Sequence, residues 1–367
     1  MTTSRRHFLE LIAGGAAGLA LPNALRAQRM DVTWHDVREW GVEGKGWSDT
    51  KRYFDRLPGK AEGVVRTPVW DLSRHSSGIT VRFTTDATAI YVRYTLLSDR
   101  LAMPIMPATG VSGLDLYATD DQGVERWAGV VSPTAQSIET ELATGLRSGE
   151  RRYTVYLPLY NGVESLEIGT DAGSVFEPIV PRAERPMLFY GTSIMHGASA
   201  SRPGMAIPAL LGRRLNRPTI NLGFSGNGRM EPEVGALLAE IDPCVFAIDC
   251  LPNMQEAMVE ERAAPLVRQL RQAHPGTPIL LVEDRSFTNT RFFPASEKRH
   301  RTSREALGRA YRQLQDEGVE HLFYLQGEQL LGDDGEAATD GSHPSDLGMV
   351  RYADAYEPAL RALLRQY

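Results

Sequence analysis

The sequence predicts an α/β protein built in two parts. A β-sandwich with a jelly-roll-like pattern comes first, followed by a three-layer α/β/α domain around a five-stranded parallel sheet. Three observations predict it. Between about residues 31 and 181, apolar and polar residues alternate with period two, as on strands with one wet face. After Pro186, five short, continuously apolar runs alternate with stretches of helical spacing. A chain of 367 residues, 42% apolar and 23% charged, is long enough for two domains and too apolar to be disordered.

The first 27 residues read as an address. Ser4-Arg5-Arg6-His7-Phe8-Leu9 precedes a soft apolar run at 12–21, and small residues near Ala24 and Ala27 offer a cleavage point. This resembles a twin-arginine export signal, which implies a folded passenger in the periplasm or outside the cell. Its removal takes away three arginines and one glutamate and shifts the formal charge from −6 to −8. Either value argues against a nucleic-acid binder, which needs a basic surplus to neutralise phosphates. The longest apolar stretch, 11–22, is too short to span a bilayer, and no repeat of solenoid or propeller length is visible.

Residues 28–181 then form the β-sandwich. Segments 78–84 and 89–95 alternate apolar and polar residues across the turn Thr85-Asp86-Ala87-Thr88, and further strands are expected at 114–118, 125–130, 153–157 and 165–168. Almost no helix is expected in this half. Pro181-Arg182-Ala183-Glu184-Arg185-Pro186 reads as a short, stiff linker. Residues 186–367 form the second domain, with buried strands at 187–190, 219–222, 245–248, 279–282 and 322–325. The intervening helices are expected at 205–215, 233–241, 256–273 and 296–317, and a last one at 349–364 closes the chain.

The two cysteines, Cys244 and Cys250, bracket one of those strands. Extended chain holds them roughly 20 Å apart, far beyond the limit of about 7 Å for a bridge. No His/Cys cluster has zinc spacing, so neither a disulfide framework, a metal nor a cofactor is expected.

The informative polar residues of the second domain follow its strands, where such sheets place ligands. Gly191-Thr192-Ser193-Ile194 follows the first, Gly223-Phe224-Ser225-Gly226-Asn227-Gly228 the second, Leu251-Pro252-Asn253-Met254 the third and Asp340-Gly341-Ser342-His343-Pro344 the fifth. These residue types suit acyl transfer from an ester. A serine hydroxyl attacks only when a base takes its proton, which His343 can do for Ser193, with Asp340 holding the imidazole. The backbone N–H groups of Ser193 and Gly226 and the amide of Asn253 are candidate donors to an oxyanion. Taken alone, Gly-x-Ser reads more readily as a helix cap than as a nucleophile, Asp-Gly-Ser-His-Pro reads equally as a polar turn opening the last helix, and Asn253 as another cap; their joint order carries the functional reading. The Gly-x-Ser-x-Gly elbow of α/β-hydrolases is not matched, because position 195 is Met.

On these blocks the second half resembles the SGNH (GDSL-type) hydrolase superfamily. Ser193, Gly226, Asn253 and His343 match its four motif residues, and Asp340 matches its Asp-x-x-His position. Two departures stand out: the usual Gly-Asp-Ser is Gly191-Thr192-Ser193, and the usual Gly-x-Asn-Asp is Leu251-Pro252-Asn253-Met254. In the first half, Ser112-Gly113-Leu114-Asp115-Leu116-Tyr117 resembles the Gly-x-Asp-Leu-Tyr signature of a β-rich domain that precedes some SGNH hydrolases. The resemblance implies a flavodoxin-like α/β/α fold and a secreted or periplasmic serine esterase that needs no cofactor. Small acyl groups, above all acetyl esters on carbohydrates, are the implied substrates, so an oligosaccharide ester is the expected partner. An O-acyltransferase using the same triad and a catalytically idle glycan-binding protein are the competing readings.

Other polar residues carry less. His196, Asp284 and Arg285 fall near the catalytic rim and are candidate substrate contacts, against a capping or surface role for the histidine and a simple Asp284–Arg285 pair. Asp115 and Tyr117 sit on a strand and read as making structural hydrogen bonds within the sandwich. Trp70 and Trp127 read as core or interdomain packing, and nothing in the sequence places His75.

Overall fold

The computed structural model describes residues 31–367, so the expected signal at 1–27 lies outside the described residues. The first half holds nine strands: β1 (Val32–Asp36), β2 (Thr80–Thr85), β3 (Ala89–Leu96), β4 (Asp115–Thr119), β5 (Glu125–Val130), β6 (Ser137–Thr144), β7 (Arg151–Tyr156), β8 (Val163–Asp171) and β9 (Phe176–Pro178). They form two antiparallel sheets, a four-stranded one ordered β1-β8-β3-β6 and a five-stranded one ordered β5-β4-β7-β2-β9. Alternation explains the sandwich. Val81 and Phe83 of β2 and Val92 and Tyr94 of β3 point into one shared core with Leu116, Val155 and Ile168.

The second half holds β10 (Met187–Gly191), β11 (Thr219–Gly223), β12 (Val245–Asp249), β13 (Ile279–Val282) and β14 (Leu322–Leu325) in one parallel sheet ordered β11-β10-β12-β13-β14. β10, β12 and β13 are buried at every position, because helices cover both faces. Successive β10 side chains go to opposite layers. Leu188 and Tyr190 pack with the helices at Pro232–Leu238, Glu256–Ala273 and Pro294–Asp316; Met187 and Phe189 pack with those at Ile207–Leu215 and Asp346–Gln366. The order reverses at β10, which has β11 on one side and β12 on the other, so the crevice at their carboxyl ends is a topological switch point.

The first half is less purely β than the sequence implies. Short helices run over Thr67–Ser73 and Ala108–Val111. Leu57, Ala61, Val65, Val69 and Trp70 leave the sandwich and complete the hydrophobic layer under β10 and β11. Arg56, fully buried, ties the same segment down. Its guanidinium donates to the carbonyls of Leu72, His75, Asn221 and Gly223 at 2.7–3.0 Å. Residues Val32–Tyr367 accordingly form one compact unit.

Candidate active site

Three strand ends converge because they are in register: Gly191 stands opposite Gly223 on one side and Asp249 on the other. After Gly191 the chain turns at once into a short helix, Ser193–His196. Thr192 caps it with its hydroxyl on the Ile194 N–H, and Gly197, at φ 106°, ends it. Ser193 therefore sits in the first turn with 6% of its surface exposed.

The turn after β14 and the segment at 326–345 bring in the partners. The Ser193 Oγ lies 2.9 Å from His343 Nε2, and His343 Nδ1 lies 2.7 Å from Asp340 Oδ2. The Asp-Gly-Ser-His turn makes this possible locally. Gly341 adopts φ 84°, and the other carboxylate oxygen of Asp340 accepts the N–H groups of Ser342 at 3.0 Å and His343 at 2.8 Å. Partial burial raises the Asp340 carboxyl, but the His343 and Ser342 amides and the imidazole outweigh it and hold the group below its usual range. An ionised Asp340 accepts a proton-bearing Nδ1, which leaves Nε2 unprotonated and facing the serine. Such a chain can draw the proton from Oγ as a carbonyl carbon is attacked.

The second block folds over the first. Phe224 N–H donates to Gly191 C=O at 2.9 Å, and a Cβ at Gly228 would stand 2.0 Å from that same oxygen. Gly226 takes φ 69°, a conformation that an L side chain rarely adopts. Asn253 ends a short turn, Leu251–Asn253, directly after β12. Its Oδ1 is shielded from solvent without a hydrogen-bond partner among the described residues. Gly226 and Asn253 thus follow the strands on either side of β10, at the same end of the sheet as the Ser193–His343–Asp340 chain.

The three expected substrate contacts behave differently. His196 is fully buried, stacked on Tyr160 with ring centroids 4.1 Å apart and 3.5 Å from Arg56 Nη2. Burial and the nearby Arg56 charge push its imidazole well below the usual range, so the ring is neutral and packs the floor under Ser193. The short helix turns it inward, where neither substrate nor bulk solvent reaches it. Asp284 and Arg285 are also buried, at 0% and 2% exposure. They pair with each other, as one reading of the sequence has it, but Arg285 also donates to the carbonyl and hydroxyl of Ser342. Asp284 accepts from His300 Nδ1 at 2.8 Å, while His300 Nε2 accepts the Phe287 N–H at 3.4 Å, which defines the tautomer. This chain braces the turn that carries His343; it is not exposed to a ligand.

Asp115 makes a hydrogen bond within the sandwich, accepting from the Trp127 indole N–H at 3.0 Å, but it also reaches beyond it. Its carboxylate crosses to the α/β half, accepting from Gly204 N–H at 2.8 Å and Arg202 Nη1 at 2.9 Å, and Tyr117 takes the same Arg202 at 2.6 Å. A Cβ at position 204 would meet the Tyr117 ring at 2.4 Å, so the close approach needs glycine. Tyr160, which the sequence did not single out, donates to the Ser193 carbonyl at 3.4 Å. His75 packs near it, half-buried, with its imidazole held down to about 3 by desolvation and by Arg56. Among the described residues no group of His, Cys, Asp and Glu could hold a metal ion, and no helix is long and apolar enough to cross a membrane.

A parallel sheet with these strand-end blocks, behind an antiparallel β-domain, defines an SGNH-type hydrolase architecture. The chain belongs to the GDSL-like lipase/acylhydrolase family: that family's model matches residues 184–361, and a model for the GxDLY N-terminus of SGNH-type esterases matches residues 32–176. A solved structure described as a GDSL-like lipase from Bacteroides ovatus is 34% identical, with a TM-score of 0.87 over 91% of this chain and 98% of that one. The salicylyl-acyltransferase SsfX3 from a tetracycline biosynthetic pathway shares the fold at 19% identity and a TM-score of 0.70, over 90% of this chain and 94% of its own. A family two carbohydrate esterase from Cellvibrio japonicus does so at 13% and 0.61, over 91% of this chain and 98% of its own. No curated protein sequence matches the chain.

Proposed function

We propose that the protein is a serine esterase that removes small acyl groups, acetyl above all, from saccharide hydroxyls. Ser193 Oγ attacks the ester carbonyl while His343 Nε2 takes its proton, and Asp340 orients the imidazole and stabilises its cation. The backbone N–H groups of Ser193 and Gly226 and the side-chain amide of Asn253 face the developing oxyanion. His343 then gives its proton to the leaving sugar oxygen and activates the water that hydrolyses the acyl-enzyme. One observation carries this reading: the unbroken chain from Ser193 Oγ to His343 to Asp340, with links of 2.9 and 2.7 Å. Fold-level likeness to carbohydrate esterases supports the saccharide half of the proposal by analogy. Export through the paired arginines Arg5 and Arg6 belongs to the same reading.

The test is turnover of an aryl acetate and of acetylated oligosaccharides. Ser193→Ala should abolish both with an unchanged melting temperature; undiminished turnover would refute the nucleophile. The likeness to an acyltransferase favours one second reading, in which a sugar hydroxyl replaces water as acyl acceptor. Products formed with a free saccharide present separate the two: released acetate supports hydrolysis, and newly acetylated acceptor supports transfer.

A further inference from the structure

A second concave site lies away from the triad, between the sheet carrying β2, β4, β5 and β7 and the helix at Ile207–Leu215. None of Ser193, Gly226, Asn253, Asp340 or His343 lines it. Its volume of about 620 Å³ is in the range of small-molecule and oligosaccharide sites. Its walls carry eight arginines and only two glutamates, on a chain whose formal charge is −6. Glu43 is committed to Arg82 and Arg182 at 3.1 and 2.7 Å, and Glu125 accepts the Thr154 hydroxyl.

Three of the lining arginines, Arg152, Arg213 and Arg217, have no carboxylate within salt-bridge distance among the described residues. Arg213 is the most telling. Its guanidinium lies 3.9 Å from the Tyr117 ring centroid, and Nη2 donates to Gly204 C=O at 2.6 Å. Nη1 is shielded from solvent and has no hydrogen-bond partner among the described residues. What the cleft offers a ligand is the charge of this guanidinium, which among the described residues meets no carboxylate and lies against the Tyr117 and Tyr156 rings, at 3.9 and 5.2 Å. On the same wall stands Trp127, 52% exposed yet fixed in orientation by its indole N–H on Asp115 Oδ1 at 3.0 Å. Its ring is a flat apolar face beside planar, bidentate anion donors.

We propose that this cleft binds an anionic oligosaccharide, whose carboxylate or sulfate groups pair with Arg152, Arg213 and Arg217 while a sugar ring lies against Trp127. The ligand replaces the missing counter-charges, and several linked charges gain over a single ion because the arginines are spread along the cleft. The proposal stands independently of the esterase reading.

The experiment measures binding to the full chain by calorimetry at two salt concentrations, with an oligogalacturonate hexamer, a neutral xylohexaose and inorganic sulfate at matched charge. The uronate hexamer should bind with an affinity that falls as salt rises, and at least tenfold more tightly than the other two. The double variant Arg152→Glu/Arg217→Glu should weaken it at least thirtyfold, with aryl-acetate turnover and melting temperature unchanged. Trp127→Ala should weaken it severalfold while the affinity for sulfate stays the same. Failure of the uronate hexamer to bind, equal affinity for xylohexaose or sulfate, or undisturbed binding by the double variant would each overturn the proposal.

Discussion

Replacing Asp340 by asparagine isolates the electronic part of the triad from its geometry. The side chain keeps its shape, so an amide oxygen can still accept the N–H groups of Ser342 and His343, now at 3.0 and 2.8 Å from a carboxylate oxygen. Substituting a neutral acceptor for a charged one weakens such bonds, and for a partly exposed turn the net loss should be about 1 kcal/mol of stability. The third contact does not survive in kind. The atom now 2.7 Å from His343 Nδ1 becomes an NH2 group, which donates and so selects the ring with its proton on Nε2. That proton points at Ser193 Oγ and blocks the base. Turnover of an aryl acetate should fall about ten-thousandfold, almost wholly in kcat, while the melting temperature moves by only a few degrees. Retention of more than a tenth of wild-type kcat by a folded Asp340→Asn protein would refute the orienting role.

Further outcomes follow from the same geometry. Asn253→Ala should lower kcat by about a hundredfold or more with little change in KM, because its amide is needed chiefly when charge develops on the oxyanion; steady-state kinetics on an aryl acetate checks this. Burial pushes the Asp249 carboxyl, beneath Tyr356, up to about 7. The folded protein therefore holds a proton that the unfolded chain releases above pH of about 4, and stability falls as pH rises between about 4 and 7, by up to about 1.4 kcal/mol per unit. Thermal melts should show Asp249→Asn gaining on the wild type across that window and no further above it; a pH-independent difference would contradict the assignment.

Most of the architecture was legible because burial on both faces leaves a plain signature. β10, β12 and β13 are continuous apolar runs in the sequence and interior strands of the parallel sheet in the structure. The helix at Glu256–Ala273 begins and ends where the spacing placed it. The strands that sequence reasoning missed, β1, β6 and β9, are all at sheet edges. β6 reads Ser-Ile-Glu-Thr-Glu-Leu-Ala-Thr, with the charged and polar positions expected of an edge that must not pair further. The helix at Thr67–Ser73 was hidden for another reason: its apolar residues serve the neighbouring half, so local pattern and local fold do not coincide.

The same distinction divides the candidate site. Ser193, Asp340 and His343 were readable because their residue types and strand-end positions are demanded by the chemistry. His196, Asp284 and Arg285 carry the same polar vocabulary near the same rim, but are directed inward by contacts from distant segments: Arg56 and Tyr160 around the histidine, Ser342 and His300 around the pair. The Asp115 carboxylate is similar. Its partners, Gly204 and Arg202, lie almost ninety positions along the chain, and no periodicity reports such a contact.

Covalent trapping offers the most direct trial. The folded protein is exposed to a small organophosphonate and the modified peptide is located by mass spectrometry. One adduct, carried by the Ser193 hydroxyl and lost in His343→Ala, is the outcome required here. A protein that stays unlabelled while it still cleaves aryl acetate, or an adduct on any other serine, would contradict it.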